Sequence, residues 1–217
     1  MSELLAQSFP LVLAPTGMVP TKTQNPHLPT TPKEIAEDVR RCANYGITSV
    51  HIHARDSTGQ PDWRIETYRE IVSEVKSVNP DVLINVSTSG RSWSELEKRA
   101  DCLALDGDLK PDLASLTLSS LNFLSGPSIN SPETVFGLAR IMGERGITPE
   151  LEIFDLGMLN MARVLERKGF LSKPIIANLF FGNIYGAQAT LGEMASMLAG
   201  LPERTIWSGA GIGRSRD

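Results

Sequence analysis

The sequence contains little of several features that would assign its class directly. Its 217 residues include two cysteines and three histidines, aromatic residues account for 6%, and no segment has the apolar length of a membrane span. The net charge of -4 provides no basic surface for nucleic acid. Two cysteines do not make a disulfide framework, and Met1 to Pro10 has neither a basic start nor a long apolar stretch. We therefore expect a cytoplasmic protein with a small-molecule partner, and no nucleic-acid or membrane partner.

What the chain has instead is a regular alternation of strand-like and helix-like segments. With 41% hydrophobic and 21% charged residues and no long linker or low-complexity tract, residues 1–217 are expected to form a single domain. Short apolar runs, typical of a buried parallel sheet, predict strands at Leu11–Pro15, Thr48–Ala54, Val82–Ser87, Leu113–Leu118, Leu151–Phe154, Ile175–Phe181 and Thr205–Ser208.

Helix start and stop signals fall between these runs. Thr31–Glu34 has the form of a capping box with proline at the first helical position, and Ser131–Glu133 repeats the cap and the proline. Gly46 and Gly146 each predict a helix end that leads into a strand. Three apolar stripes predict buried helix faces: Ile35, Val39, Cys42 and Ala43; Tyr68, Ile71, Val72 and Val75; Val135, Leu138, Ala139 and Met142. The repeated βα unit favours a TIM (β/α)8 barrel, an α/β fold with its site at the strand C-termini.

Two of the three histidines, His51 and His53, lie two residues apart at the end of the second predicted strand. Residues at this spacing in a strand point to the same face, so the two imidazoles are expected to converge. Such a pair is typical of a divalent metal site, most simply zinc. The alternative is two buried histidines that are satisfied by carbonyl or carboxylate groups. His27 lies in a proline-rich, loop-like segment and is expected at the surface.

Polar residues also end several other predicted strands: Thr16 and Gly17, Ser87 to Gly90, Ser115 and Thr117, Glu152 and Asp155, and Asn178. Singly, each is as well explained by a turn or by a hydroxyl bonded to backbone. As a set beside a metal, they suit the binding of a carboxylate while the metal polarises a carbonyl. Glu152 is expected to point into the barrel with Glu150, where a carboxylate must be paired, protonated or bound. The glycine-rich segment Gly209–Arg214 suits an anion, or is a tight turn.

Motifs along nearly the whole chain, from about Leu11 to Arg214, resemble in order and spacing those of the β-keto acid cleavage enzymes, among them the 3-keto-5-aminohexanoate cleavage enzymes. The motifs are Ala14–Gly17, Asn25–Pro29, Thr31–Ile35, Val50–Asp56, Asn85–Gly90, Ala114–Thr117, Leu121–Phe123, Pro149–Asp155 and Ala210–Arg214. The series as a whole is far more specific than any one motif.

The resemblance implies a zinc-dependent acyltransferase in a TIM barrel, which converts a β-keto acid and acetyl-CoA, its co-substrate, into acetoacetate and a new acyl-CoA. It implies His51 and His53 as zinc ligands, and Ser87 and Glu152 as catalytic residues. It also implies that Ser87 and Gly90, together with Ser115 and Thr117 on the fourth strand, bind the carboxylate of the keto acid. A homo-oligomer is expected.

The sequence departs from the resemblance after Arg214. Members of the family continue into an eighth strand that carries a glutamate as third zinc ligand, with a catalytic aspartate and arginine, whereas this sequence ends at Asp217. We therefore expect a barrel that lacks the eighth βα unit, unless a second polypeptide supplies it. Glu152 or Asp155 is then the candidate for the third ligand.

Two alternatives stay open at this point. One is a catalytically dead or fragmentary remnant of the same family. The other is a zinc hydrolase of the amidohydrolase type, which also uses a His-x-His pair in a TIM barrel. There the pair lies on the first strand and further histidines follow, whereas no histidine follows His53 in this chain.

Overall fold

The computed structural model describes residues 10–213, and within them the chain forms strands that alternate with helices. The strands are β1 (Val12–Leu13), β2 (Ser49–Ile52), β3 (Leu83–Val86), β4 (Leu113–Thr117), β5 (Leu121–Phe123), β6 (Gly126–Ser128), β7 (Thr148–Ile153), β8 (Ile175–Phe181) and β9 (Thr205–Gly211). The helices are α1 (Pro32–Ala43), α2 (Ile65–Val78), α3 (Leu96–Ala100), α4 (Pro132–Glu144), α5 (Leu156–Arg167) and α6 (Leu191–Gly200).

Seven of the strands form one curled, parallel sheet in the order β1-β2-β3-β4-β7-β8-β9. Each strand pairs with the next one along the chain apart from the step from β4 to β7, where the β5–β6 hairpin intervenes. In the described part of the chain, no strand bridges β9 and β1, which are the two edges of the sheet. The sequence prediction of a TIM-type barrel without its eighth βα unit is confirmed for these residues.

The helices begin where the sequence signals place them. Thr31 and Glu34 form a reciprocal capping box at α1, and the Ser131 side chain accepts the Thr134 N–H at α4. Gly46 and Gly146 follow α1 and α4 with φ of 78° and 63°, a left-handed conformation in which glycine avoids the penalty of a Cβ. Both predicted helix-to-strand units are therefore confirmed.

The core lies between the sheet and the helices that cover it. Of the predicted stripes, those of α2 and α4 are buried throughout, and that of α1 is buried at Ile35 and Val39, with Cys42 and Ala43 partly exposed. Apolar side chains of the strands, such as Ile52, Ile84 and Leu151, complete the core. No helix among residues 10–213 is both long and apolar enough to span a membrane. Because the helices cover the outer face of the sheet, the polar groups of the strands gather at their carboxyl ends.

Candidate active site

A cavity of about 510 Å³ opens at the carboxyl ends of the strands of the sheet. Its polar lining consists of His51, His53, Ser87, Ser89, Arg91, Thr117, Ser128, Glu150, Glu152, Asn178 and Ser208. The first-strand loop contributes Gly17 to Pro20, and β9 contributes Gly209 and Ala210. Position and size are those of a small-molecule site in a barrel of this type.

His51 of β2 and His53, which directly follows this strand, face each other at the floor of this cavity. The Nε2 atoms of His51 and His53 lie 3.0 Å apart, and the ring centroids lie 4.7 Å apart. Two imidazoles bound to one zinc ion at about 2.0–2.1 Å place their nitrogens about 3.3 Å apart. The separation therefore suits either a hydrogen bond between the rings or two ligands of one cation, and the predicted convergence is confirmed.

Burial and neighbouring charge act differently on the two rings. Burial lowers the pKa of His53 well below its usual value, and the positive charges of His51, Arg55 and Arg91 lower it further. Burial also opposes protonation of His51, but hydrogen bonding and the charge of Glu150, with the charge of Glu152, outweigh it and raise the pKa of His51. His53 is thus held in the neutral form that binds metal ions.

The atoms around the histidine pair include two nitrogen donors suited to a metal ion. The other ring nitrogen of His51, Nδ1, lies 3.8 Å from Oε2 of Glu150, and ligand histidines commonly have a carboxylate at this position. The buried Nδ1 of His53 has no partner among the described residues. No cluster of three or more His, Cys, Asp or Glu residues able to hold a metal ion occurs in residues 10–213. The histidines therefore fit as two nitrogen ligands, and a third protein ligand is not found there.

Glu150 and Glu152 point into the cavity from β7, two residues apart, as the alternation predicts. Glu150 accepts a 2.7 Å hydrogen bond from Nδ2 of Asn85. Glu152 accepts a 2.5 Å hydrogen bond from the hydroxyl of Thr117. Burial raises the pKa of Glu152 despite the opposing charge of His51 and the Thr117 hydrogen bond. A carboxylate of this kind is suited to exchange a proton with a ligand in the cavity.

Asp155, the other candidate for a third ligand, is used elsewhere. It caps α5, where its Oδ1 accepts the N–H of Met158 at 2.8 Å, and it does not line the cavity. Of the predicted glycine-rich segment, Gly209 and Ala210 line the cavity as part of β9, and Arg214 lies outside the described residues.

The segment that follows β3 alternates between two faces. Ser87, Ser89 and Arg91 line the cavity, and the buried hydroxyl of Ser87 has no partner among the described residues. Thr88 faces β4, where its N–H and hydroxyl bond to Ser115. These contacts fix the segment from behind.

Gly90 lies on this outer face. A Cβ on Gly90 would overlap the carbonyl oxygen of Ile129 and lie 2.9 Å from Nη1 of Arg99. Arg99 is buried, and its guanidinium donates to the carbonyls of Thr88 and Ile129 and to Asn130. Of the predicted carboxylate-binding residues, the structure thus places Ser87 and Thr117 at the cavity, and Ser115 and Gly90 behind its wall.

A wall of aromatic rings, which the sequence analysis missed, closes another side. The rings of Phe123 and Phe154 meet edge to face at 5.7 Å, and those of Phe154 and Phe180 stack at 4.6 Å. The guanidinium of Arg91 lies 3.5 Å from the centre of the Phe123 ring. Phe123 belongs to the β5–β6 hairpin, and short strands of this kind give little periodic signal in a sequence.

The first-strand loop is fastened over the cavity by a buried arginine. Arg55 donates to the carbonyls of Gly17 and Pro20, at 2.7 and 3.1 Å, and to that of Gly59. Met18 and Val19, which lie between the first two acceptors, line the cavity. Arg55 is thus a positioning residue for this loop.

The fold and the site together define a class, that of α/β proteins with TIM-type topology whose small-molecule site contains a histidine pair at the strand ends. The known proteins narrow the class further. The model of the β-keto acid cleavage enzyme family matches residues 10–216. The chain belongs to this family, and its enzyme type is therefore that of a β-keto acid cleavage acyltransferase.

Named relatives of the chain agree with this family assignment. The chain is 32% identical over 201 residues to the 3-keto-5-aminohexanoate cleavage enzyme of Fusobacterium nucleatum, a match that covers 91% of this chain and 71% of that protein. It is 31% identical to the 3-oxoadipate:acetyl-CoA acetyltransferase of Cupriavidus necator, over 98% and 74% of the two chains. It is 29% identical to the 3-dehydrocarnitine:acetyl-CoA trimethylamine transferase of Rhizobium meliloti, over 94% and 75%.

A solved structure shows the same fold. The apo structure of ObcA matches with a TM-score of 0.66 and 26% identity, over 73% of this chain. The chain spans 37% of the length of ObcA. A dihydrodipicolinate synthase family protein from Coccidioides immitis, at 11% identity and a TM-score of 0.55, is similar in fold alone.

Proposed function

We propose that this chain transfers an acyl group from a β-keto acid to coenzyme A, with acetyl-CoA as co-substrate. The acid R–CO–CH2–COO⁻ and CH3–CO–SCoA give CH3–CO–CH2–COO⁻ and R–CO–SCoA, so one carbon–carbon bond forms, one breaks, and the thiolate changes its acyl partner. The observation that carries the proposal is the pair of imidazoles 3.0 Å apart at the floor of a cavity that Ser87, Thr117 and Glu152 also line.

His51 and His53 are the proposed zinc ligands. Their Nε2 atoms face each other, and the lowered pKa of His53 keeps its ring neutral. When bound, zinc supplies a Lewis acid that polarises the ketone of the substrate. Glu150 and Asn85 hold the His51 ring in place through the contact of Glu150 with Nδ1.

The carboxylate of the keto acid is proposed to bind beside β3 and β4. The unpartnered Ser87 hydroxyl is a free donor, whereas Thr117, on the same cavity wall, donates its hydroxyl to Glu152 and contacts the substrate through its remaining surface. Gly90 and Ser115 act from behind, since the close approach at Gly90 and the Ser115 bonds to Thr88 fix the segment that carries Ser87. A rigid donor set of this kind orients the substrate before reaction.

Glu152 is proposed to take a proton from the carbon between the ketone and the carboxylate. Its position on the cavity wall and its raised pKa suit a proton acceptor that releases the proton again. The Thr117 hydroxyl fixes one carboxylate oxygen, which leaves the other oxygen for the substrate.

The proposal is tested by mass spectrometry of the products formed by the purified chain with acetyl-CoA and a β-keto acid, with zinc added. We expect acetoacetate and the new acyl-CoA in equal amounts, and a loss of at least about 100-fold in rate for Glu152→Gln. Glu70→Gln, a change of the same charge on an exposed position of α2, is the matched control. Absence of both products from the unchanged chain contradicts the proposal.

The same experiment separates the alternatives. A remnant without catalysis gives no products with or without zinc. A hydrolase of the amidohydrolase type releases free acid without any need for acetyl-CoA, and none of the relatives named above supports that class. The homo-oligomer stays a prediction, which the mass of the assembly in solution checks.

A further inference from the structure

We propose that Arg91 selects a β-keto acid with a second carboxylate, at the end of the acyl part remote from the reacting carbon. This inference rests on the proposed function, because it names the class of substrate for the same site. It starts from a cation that lines the cavity and has no carboxylate within 4.0 Å in the described structure.

The Arg91 guanidinium has no direct ion-pair partner among the described residues, although the more distant charge of Glu152 acts on it. No carboxylate of residues 10–213 lies within 4.0 Å of it, and no hydrogen bond from its side chain to another described residue is found. The buried arginines Arg55 and Arg99 differ, because each donates to three oxygens of the protein. An arginine remains charged at all relevant pH values and seeks a planar anion such as a carboxylate.

The guanidinium is nevertheless held in place. Its Cζ lies over the Phe123 ring, 3.5 Å from the ring centre, and Phe123 in turn packs on Phe154. Stacking fixes the plane of the guanidinium and leaves its N–H groups free at the edge. A donor that is oriented beforehand and partly removed from water binds an anion more tightly than a mobile surface arginine.

The position of Arg91 along the chain indicates which part of the substrate it meets. His51, Ser87 and Thr117 lie at or next to the ends of their strands, whereas Arg91 lies several residues past the end of β3, and Phe123 belongs to β5, past the end of β4. The ketone and its neighbouring carboxylate are proposed at the strand ends. The guanidinium therefore faces the outer portion of the substrate, along the aromatic wall.

The charges that line the cavity indicate that the remote group of the substrate is negative. The negative groups that face it, Glu150 and Glu152, are engaged by Asn85 and Thr117 and lie near the histidine pair. Val19 on the first-strand loop offers no carboxylate to an ammonium group, and Arg91 repels one. A short 3-oxo dicarboxylic acid satisfies the free cation, while the phenyl rings contact its methylene groups.

The test compares two acids of the same length that differ only at the far end, 3-oxoadipate and 3-oxohexanoate, with the full chain and added zinc. We expect kcat/KM to favour the diacid by about 10- to 100-fold, the size of a charge-assisted hydrogen-bond pair. Arg91→Gln is expected to abolish this preference and Arg91→Lys to retain part of it. Arg69→Gln, on an exposed position of α2, is expected to leave the preference unchanged.

Measurement of binding with unreactive acids tests this inference independently of catalysis. Calorimetric titration with adipate and hexanoate, neither of which reacts, is expected to show the same preference and the same dependence on Arg91. Turnover of both keto acids without a preference supports the proposed function and overturns this inference. Binding that favours adipate in a chain without turnover supports the inference and contradicts the proposed function.

A second possible anion for Arg91 is a phosphate group of coenzyme A. If Arg91→Gln raises KM for acetyl-CoA and leaves the preference between the two acids unchanged, Arg91 serves the nucleotide and the inference is overturned. Acetyl-pantetheine, which lacks the nucleotide, checks this outcome, because its KM then does not respond to the substitution.

Discussion

Asn85 donates a 2.7 Å hydrogen bond to the same carboxylate oxygen of Glu150 that lies 3.8 Å from the His51 ring, and both residues are buried. The carboxylate thus connects β7 to β2 and β3 at the base of the cavity. Removal of its donor leaves a buried charge short of a partner, which is costly.

Asn85→Ala is accordingly expected to destabilise the chain by about 1–3 kcal/mol. Urea unfolding in the presence of a chelator measures this without a contribution from metal. Asn160→Ala, at an exposed position of α5, is the control and is expected to change stability by less than about 0.5 kcal/mol. Equal effects of the two substitutions would contradict a structural role for the Asn85–Glu150 bond.

The zinc content of histidine variants distinguishes the two proposed ligands, His51 and His53, from His27. His51→Ala and His53→Ala are each expected to lower bound zinc to background, because two nitrogen ligands hold a metal far better than one. His27→Ala, at an exposed loop position, is expected to retain the zinc of the unchanged chain. Metal analysis after dialysis gives the molar ratio of zinc to protein for each variant. Retention of zinc in all three variants would remove the histidine pair from the site.

Gly90 and Gly143 form a matched pair of glycines. At Gly90 an added methyl group would overlap the Ile129 carbonyl, whereas at Gly143 in α4 nothing lies within 4 Å. We expect Gly90→Ala to destabilise the chain by at least about 1–3 kcal/mol, and Gly143→Ala to stabilise it by up to about 1 kcal/mol through helix propensity. Thermal unfolding of both variants measures the contrast. A Gly90→Ala variant of unchanged stability would mean that the segment after β3 moves freely.

Asp62 provides a prediction on pH. Burial opposes its ionisation, but hydrogen bonds from Arg64 and Thr67 and the charge of Arg64 lower the pKa of Asp62 from 3.8 to about 2. A carboxylate whose pKa is lowered by folding contributes stability that is present above pH 4 and is lost as the pH falls through 4 to 2. With allowance for solvent screening, the contribution is about 1 kcal/mol.

Asp62→Asn is therefore expected to be less stable than the unchanged chain at pH 6, with a difference that shrinks towards pH 2. Urea unfolding at several pH values measures the difference. Asp108→Asn, at an exposed position in a short 3-10 turn, supplies the control. A difference that grows on acidification would show that Asp62 does not stabilise the fold in its ionised form.

Much of the fold follows from local sequence. The seven sheet strands and the caps at Thr31 and Ser131 are where the apolar runs and cap residues predict them. The start of β7 at Thr148 was missed, because Thr148 to Glu150 has no apolar run and becomes a strand by pairing with β4. The intrinsic strand propensity of these residues does not predict a strand that forms through pairing with a distant segment.

The site was predictable only where its residues lie on or beside strands, because strand alternation is a local pattern. Alternation along a strand placed His51 with His53 and Glu150 with Glu152. It gave no account of Gly90, which differs from Ser87 by facing away from the cavity, since the direction of a loop residue depends on what packs behind it. The position of Arg91 depends on Phe123, more than thirty residues away in the sequence, and no local pattern reports such a contact.

The segment after β3 has two faces, and this has a consequence for how the protein can change. Thr88 bonds to Ser115 of β4 and Gly90 packs closely on Ile129 and Arg99, while the side chains of Ser89 and Arg91 line the cavity. Variation at Ser89 and Arg91 thus leaves the attachment intact. A library limited to these two positions would explore new acyl groups while the contacts of Thr88 and Gly90 with the scaffold stay in place, so specificity and architecture depend on alternate residues of one short peptide.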